Sequence, residues 1–502
     1  MKLYTSEQCR KMDALAINEY SIPSALLMER AARFVADETL FALKKGGHVS
    51  VLCGSGNNGG DGIGAAYMLR ELGVKVRVFL AGKREKMTPD SKEMERRLIS
   101  LGGVVEDFSS DNFDYIRSSE VIIDALFGVG FSSAPRGKSL EAIGLINSSN
   151  AFVIAADIPS GVEADTGFIP GEAVKADMTV SFSVGKPGLY SLPGALFCGE
   201  VKICDIGIPM EIYEGEPSQI CTVTDVSLPK RKPDSHKGDF GRELIVAGSV
   251  GYTGAPVLAA NACLRSGGGL ITLCVPEKAY PIIAVKCNEV MPVPAPCGED
   301  GLFSENAAEK ILSLLSKSDA CLIGPGLGRS DDITKLVHCV IRSSSVPLVV
   351  DADGINALAQ NINILDEVSC PIILTPHDGE FKRLGGDLES KGRTESAREF
   401  AIKHGCILVL KGHRTVTAFP DGEVFINTTG NPGMAKGGSG DVLAGIMVSL
   451  IGQGIPLKEA VTAAVFIHGK TGDICRDKYG EYFMTPSDIT DSLYTVLKNV
   501  TR

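Results

Sequence analysis

Short apolar runs rich in β-branched residues alternate with helix-periodic stretches along the whole chain. Residues 49–53, 74–80, 121–124 and 152–156 are such β-rich runs. That pattern predicts strands buried on both faces, in a mostly parallel sheet with helices above and below. The rhythm fails over 211–218 and again at Leu228, Pro229, Lys230, Arg231, Lys232 and Pro233, which places a boundary near residue 220. It resumes at 244–247, 270–275, 320–323, 348–350, 372–374 and 407–410. The expected architecture is α/β throughout, with one domain over 1–218 and a second over 225–502. A chain of 502 residues also exceeds what a single hydrophobic core supports.

Composition narrows the partners. A net charge of −11 with no long basic run argues against nucleic acid and anionic membrane surfaces as partners. No apolar stretch reaches the roughly 20 residues of a membrane span, and Met1 to Ser6 lack the apolar core of a signal peptide, so a cytoplasmic location is expected. Fourteen cysteines occur without a C-x-x-C pair, many inside apolar runs, and read as buried free thiols.

The sharpest chemical signal is Gly437, Gly438, Ser439, Gly440 and Asp441, running into the apolar Val442 and Leu443. Glycines let successive N–H groups converge on an anion, and a helix starting there adds its positive end. A carboxylate at such a place suits a base that takes the proton of a hydroxyl under phosphorylation. The plain alternative is a glycine turn with Asp441 as a helix cap.

A second loop, Gly54 to Gly62 with Asn57 and Asn58 inside it, follows a strand and precedes a helical pattern over 63–72. Strand, glycine loop and helix form the phosphate-binding geometry of nucleotide folds. The paired asparagines add oxygens suited to a cation. Asp124, Asp157 and Ser160 stand after two further strands, and parallel strands bring their carboxyl ends to one edge. Such hard oxygens suit an alkali cation. In the second half, turns around Gly248, Gly326, His377 and Lys411 also follow strands and suggest one crevice. His377 has the alternative of capping a helix from Glu380, Lys411 and His413 that of a solvated loop, and His468 before Gly469 reads as a helix end.

The strings GNNGGDG, DALFG and DIPSG, in this order and spacing, closely resemble the NAD(P)H-hydrate epimerase domain over residues 1–215. The resemblance implies a Rossmann-like three-layer sandwich that interconverts the R and S forms of nicotinamide nucleotide hydrated at ring carbon six. It implies potassium ligands at Asn58, Asp124 and Ser160. Dinucleotide contacts are implied at Asn57, Asn58, Gly59, Gly60, Asp61, Gly128, Val129, Gly130, Phe131, Ser132, Ser133, Ala134 and Asp157, with Asp157 as acid/base.

HKGDFG, GSVGYTGAP, GPGLG, TPHDGE, KGHRT and GGSGDVLAG resemble the ADP- or ATP-dependent NAD(P)H-hydrate dehydratase, a ribokinase-like fold, over 225–502. That resemblance implies hydrate contacts at Ala255, Gly326, His377 and Asp441, and nucleotide contacts at Lys411, Gly412, His413, Arg414, Thr415 and Gly440. Together the halves resemble the bifunctional nicotinamide-nucleotide repair family. This implies NADH hydrate and NADPH hydrate as substrates, ADP or ATP as co-substrate, a magnesium ion with the nucleotide, and a homo-oligomer. The runner-up is a ribokinase-like vitamin-precursor kinase carrying a non-catalytic N-terminal binding module.

Overall fold

His48–Cys53 shows why the apolar runs become central strands. Val49, Val51 and Cys53 pack with Ile63, Met68 and Leu69 on one face, and Leu52 packs with Ile143 and Ile146 on the other. A period of two thus serves two cores at once. The computed structural model describes residues 1–501. The chain divides into two units, one ending at Ile220 and the other beginning at Cys221.

The first unit holds seven parallel strands in the order Val105–Asp107, Lys75–Leu80, His48–Cys53, Val121–Ala125, Phe152–Ala156, Met178–Phe182 and Glu200–Cys204. Chain order reverses beside His48–Cys53, and the loop after that strand therefore lies at the topological switch point, where open α/β sheets bind ligands. The second unit repeats the winding. Its parallel strands run Met291–Ala295, Leu270–Pro276, Arg242–Val246, Ala320–Ile323, Leu348–Val350, Ile372–Leu374 and Ile407–Leu410. Two antiparallel strands, Val416–Ala418 and Val424–Asn427, extend it.

The helix after the first glycine loop spans Asn57–Glu71. It begins six residues earlier than the sequence pattern predicts, because its glycines serve packing rather than a turn. A Cβ at Gly62 would lie 2.6 Å from Ala125 Cβ, and one at Gly64 would lie 2.8 Å from Ala32 Cβ. The helix is pressed between the sheet and the helix Ser24–Ala42, and burial outweighs the poor helix propensity of glycine. His468 likewise lies inside the helix Leu457–Tyr479 and not at a helix end. Gly469 does not stop that helix. It makes room for Thr429, whose Oγ1 would be 2.3 Å from an added Cβ. The stretch 211–218, read as a break, includes most of a short helix, Met210–Gly215. All fourteen cysteines are free.

Close approach also sets the second unit. Gly445, in the helix Ser439–Gly452, lies against the helix Gly254–Arg265 so tightly that a Cβ would stand 2.1 Å from the Ala259 carbonyl oxygen. That obstacle is backbone and cannot rotate away. Gly445→Ala is expected to destabilise this unit by about 1–3 kcal/mol through overpacking. Denaturant unfolding followed by circular dichroism checks this, and an unchanged midpoint would refute it.

Candidate functional site

Each unit gathers its polar groups at the carboxyl edge of its sheet. In the first, a cavity of about 900 Å³ is lined by Asn57, Asn58, Asp61, Gly128 through Ser133, and Asp157. Gly59, Gly60 and Ala134 do not line it. Gly59 and Gly60 pack underneath, where a Cβ would meet the Gly54 carbonyl oxygen at 2.0 Å or Met28 Sδ at 2.7 Å.

Asp157 adopts φ 66°, a left-handed backbone that costs an aspartate energy and that surrounding contacts must hold. Its amide donates to the Val180 carbonyl at 2.7 Å. Its Oδ1 accepts from Lys186 Nζ at 2.5 Å and from the Phe182 amide at 3.3 Å. Lys186 is 2% exposed, and its remaining protons go to Ser181 Oγ and the Phe182 carbonyl, both at 2.9 Å. Burial pushes the Lys186 ammonium down, but the Asp157 charge, its hydrogen bond and the neighbouring Cys9 and Asp13 together hold the group above its ordinary value. Asp13 also lines the cavity, and burial followed by the Asp157 charge pushes its carboxyl up to about 6. The same two causes push Asp61 well above the usual carboxylate range.

Asn58, Asp124 and Ser160 come together beside this cavity. Asp124 is fully buried, and it accepts the Ser160 hydroxyl at 2.6 Å and the Ser160 amide at 2.8 Å. Burial lifts its carboxyl to about 6, against the lowering effect of those bonds. Asn58 Nδ2 donates to the Phe127 carbonyl at 2.8 Å, which fixes the amide and leaves Oδ1 buried without a hydrogen-bond donor. A buried acceptor with no partner is costly.

In the second unit the helix Ser439–Gly452 starts from Gly438 at φ 100°, so Gly438 is the cap and Asp441 sits inside the first turn. Burial, then the nearby Asp351 charge, lifts the Asp441 carboxyl to about 6, opposed by Lys411. Lys411 Nζ donates to Asp351 Oδ1 at 2.6 Å and stands 3.3 Å from where a Gly440 Cβ would be. Asp351 also accepts Thr375 Oγ1 at 2.7 Å. Burial pushes Lys411 down, and Asp351, Glu380 and Asp441 together hold it above its ordinary value. Ala255 and Gly326 meet one another: a Cβ at Gly326, whose φ is 64°, would lie 3.2 Å from Ala255 Cβ. Gly412 and Thr415 close a turn after Lys411, Thr415 Oγ1 donating to the Gly412 carbonyl at 2.9 Å. Arg414 has φ 58° in the same turn, and burial followed by Arg414 lowers the His413 imidazole.

His377 caps the helix Asp378–Arg383, Nδ1 accepting from the Gly379 and Glu380 amides at 3.0 and 3.2 Å. Glu380 Oε2 accepts from the His377 amide at 2.9 Å. Nε2 lies 3.5 Å from Glu380 Oε1, and the side chain stays half-exposed.

Comparison with known proteins follows this two-unit division. Residues 24–188 match the family described as YjeF-related protein N-terminus, and residues 243–494 match the family described as NAD(P)H-hydrate dehydratase. The bifunctional NAD(P)H-hydrate repair enzyme Nnr of Moorella thermoacetica is 38% identical, with 100% of this chain and 97% of the relative covered. The chain belongs to the bifunctional NAD(P)H-hydrate repair enzymes. The enzyme of the same description from Thermofilum pendens is 38% identical over 99% of this chain and 96% of its own. Among solved structures, a ribokinase-like superfamily protein from Enterococcus faecalis V583 superposes with a TM-score of 0.50 at 29% identity, covering 57% of this chain and 98% of its own.

Lys186, Asp13, Asp351 and Thr375 are site residues that the sequence reading passed over. Asp351 carried the signal already applied to Asp124 and Asp157, a lone aspartate directly after a buried strand, here Leu348–Val350. Lys186 carried none, since a lysine before Pro187 reads as a surface turn. Lys186→Met strands the buried Asp157 carboxyl and is expected to cost about 3–5 kcal/mol, the range for breaking a buried pair. The double variant Lys186→Met with Asp157→Asn recovers most of that loss. Urea unfolding of the three variants checks this, and equal stability of Lys186→Met and wild type would refute it.

Proposed function

We propose that the first unit interconverts the R and S hydrates of NADH and NADPH, and that the second returns the S form to NADH or NADPH at the expense of ADP or ATP. The observation that carries this reading is Asp441, a partly buried carboxylate in the first turn of a glycine-capped helix, beside the buried Lys411–Asp351 pair. Family membership over the full chain supports both halves.

In the second unit, Asp441 accepts the proton of the C6 hydroxyl as the hydroxyl oxygen bonds to the terminal phosphorus of the nucleotide and the bond from that phosphorus to the departing AMP or ADP breaks. The N–H groups of Gly437 to Gly440 and the helix end stabilise the charge on the transferring oxygens. The C6–O bond of the phosphorylated hydrate then breaks, pushed by the ring nitrogen, and loss of the C5 proton restores the double bond. Ala255, Gly326 and His377 line the hydrate side, His377 offering Nε2. Lys411 through Thr415 and Gly440 hold the nucleotide. Magnesium, when bound, neutralises nucleotide phosphate charge. Among the described residues no group of three or more histidine, cysteine or acidic side chains offers it a cage, so it is held chiefly by phosphates and water.

In the first unit, Asp157, its Oδ1 fixed by Lys186 and its Oδ2 left to the substrate, takes the proton of the C6 hydroxyl as the C6–N1 bond breaks to an aldehyde, and passes that proton to the freed nitrogen. Re-addition of the nitrogen to the other carbonyl face reverses both transfers. Gly128 through Ala134 and Asn57 through Asp61 contact the dinucleotide. The unpartnered Asn58 Oδ1, with Asp124, Ser160 and the Phe127 carbonyl, fits a potassium ion, which would supply a fixed positive charge beside the cavity.

The test is recovery of reduced-nicotinamide absorbance from a mixed R and S hydrate of NADH with magnesium, potassium and either ADP or ATP. Wild type restores all of it, and Asp157→Asn stalls at the S fraction. Asp441→Asn slows recovery by about two to four orders of magnitude. With the Asp441 carboxyl near 6, its ionised fraction falls about tenfold per unit below that pH, and dehydration by wild type falls with it. No recovery by folded protein with either nucleotide would overturn the reading in favour of a vitamin-precursor kinase.

A further inference from the structure

The first cavity extends past the glycine loop to a neighbouring strand whose end has no role in the reading above. Lys75–Leu80 lies beside His48–Cys53, on the side away from Asp157, and Ala81, Gly82 and Lys83 follow it. At this place a dinucleotide fold that binds an unphosphorylated adenosine ribose puts a carboxylate to accept its 2′-hydroxyl. Here no acidic residue stands between Leu80 and Lys83. Lys83 and Lys86 both line the cavity, both are exposed, and neither ammonium enters an ion pair or side-chain hydrogen bond among the described residues. Arg84 between them is turned away. It pairs with Glu95, and its Nη2 donates to the Val105 carbonyl at 2.5 Å.

The backbone that presents these lysines is built into the phosphate loop. Ser55 Oγ donates to the Lys83 carbonyl at 2.8 Å, the Lys86 amide donates to the same carbonyl at 2.9 Å, and the Thr88 amide donates to the Ser55 carbonyl at 3.2 Å. Gly82 comes so near that an added Cβ would be 2.2 Å from Ser55 Oγ. Asp90 also lines the cavity, and its carboxylate accepts Ser24 Oγ at 3.2 Å.

The spacing agrees with a dinucleotide laid across the edge. Three strand separations, about 14 Å, divide the Lys75–Leu80 strand from the Phe152–Ala156 strand that ends at Asp157. The helix Asn57–Glu71 points its amino end at the gap between them, where a pyrophosphate would lie. An extended dinucleotide with its hydrated ring at Asp157 therefore brings its adenosine ribose to Lys83 and Lys86.

We propose that Lys83 and Lys86 form a receptor for the 2′-phosphate of the adenosine ribose, so that the first unit prefers NADPH hydrate to NADH hydrate. This rests on the reading of that cavity as the hydrate epimerase site. A phosphomonoester there meets two ammonium groups without ion-pair partners among the described residues, whereas no carboxylate directly follows the Lys75–Leu80 strand to accept a 2′-hydroxyl.

The experiment is epimerisation of each pure hydrate by the full chain, without ADP or ATP, followed by chromatography of the R and S forms. Wild type is expected to show a KM at least tenfold lower for NADPH hydrate. In the double variant Lys83→Ala with Lys86→Ala, the two KM values converge to within about twofold, by a rise in the NADPH-hydrate value. The double variant Lys83→Arg with Lys86→Arg retains the preference, which separates charge from folding. Equal KM values in wild type, or a preference surviving the alanine pair, would overturn the proposal while leaving the epimerase reading intact. Absence of interconversion for both hydrates in folded wild type would overturn that reading and the proposal with it.

Discussion

An ammonium group removed from water and held by one aspartate recurs at the carboxyl edge of both sheets, as Lys186 on Asp157 and Lys411 on Asp351. Such a pair survives burial only if every remaining proton and lone pair finds a partner. That demand reaches into the surrounding backbone. Asp157 accepts a left-handed conformation, as does Ala352 beside Asp351, and carbonyls and hydroxyls such as those of Phe182, Ser181 and Thr375 are drawn to the pair. The strands converge to place these groups, and the pairs in turn fix the strand ends. The proposed catalytic geometry and local stability thereby rest on the same set of contacts.

Repeated winding is what makes the edges comparable. Both sheets begin with a central strand, add two neighbours on one side and continue on the other. In each, a glycine-rich segment opens a helix aimed at the edge, but its glycines answer different needs. Gly62 and Gly64 allow a helix to be squeezed between a sheet and a second helix, whereas Gly438 supplies the positive φ that starts one. The first is a constraint of volume and the second a constraint of dihedral angle.

That difference explains what could be read from the chain. The strands were visible as short β-rich runs, Asp124, Asp157 and Ser160 were visible because polar residues at the end of such a run are conspicuous, and Asp441 was visible from the glycine loop before it. The start of the helix Asn57–Glu71 was hidden, since four glycines in its first eight residues read locally as loop and only tertiary burial overrides that preference. Lys186 was hidden for the opposite reason: its burial is created by segments far along the chain, Ser6–Asn18 among them, whose Cys9 and Asp13 contribute to its electrostatic surroundings. His377 was ambiguous between cap and ligand because it is a cap whose side chain remains half-exposed. No local pattern separates those two uses.

The cavity of the first unit is bounded by unequal walls. Gly54 on one wall, and Gly59, Gly60, Gly62 and Gly64 in the helix packed beneath it, have backbone or side-chain atoms pressed against them, so almost no other residue can be written there. Across the opening, Gly130 has open space around it, and Ser132 and Ser133 are exposed. Divergence among descendants of this enzyme is consequently channelled: the anion end stays frozen in sequence, while the facing loop is where a lineage, or a protein engineer, can retune what the cavity admits without disturbing how the domain folds.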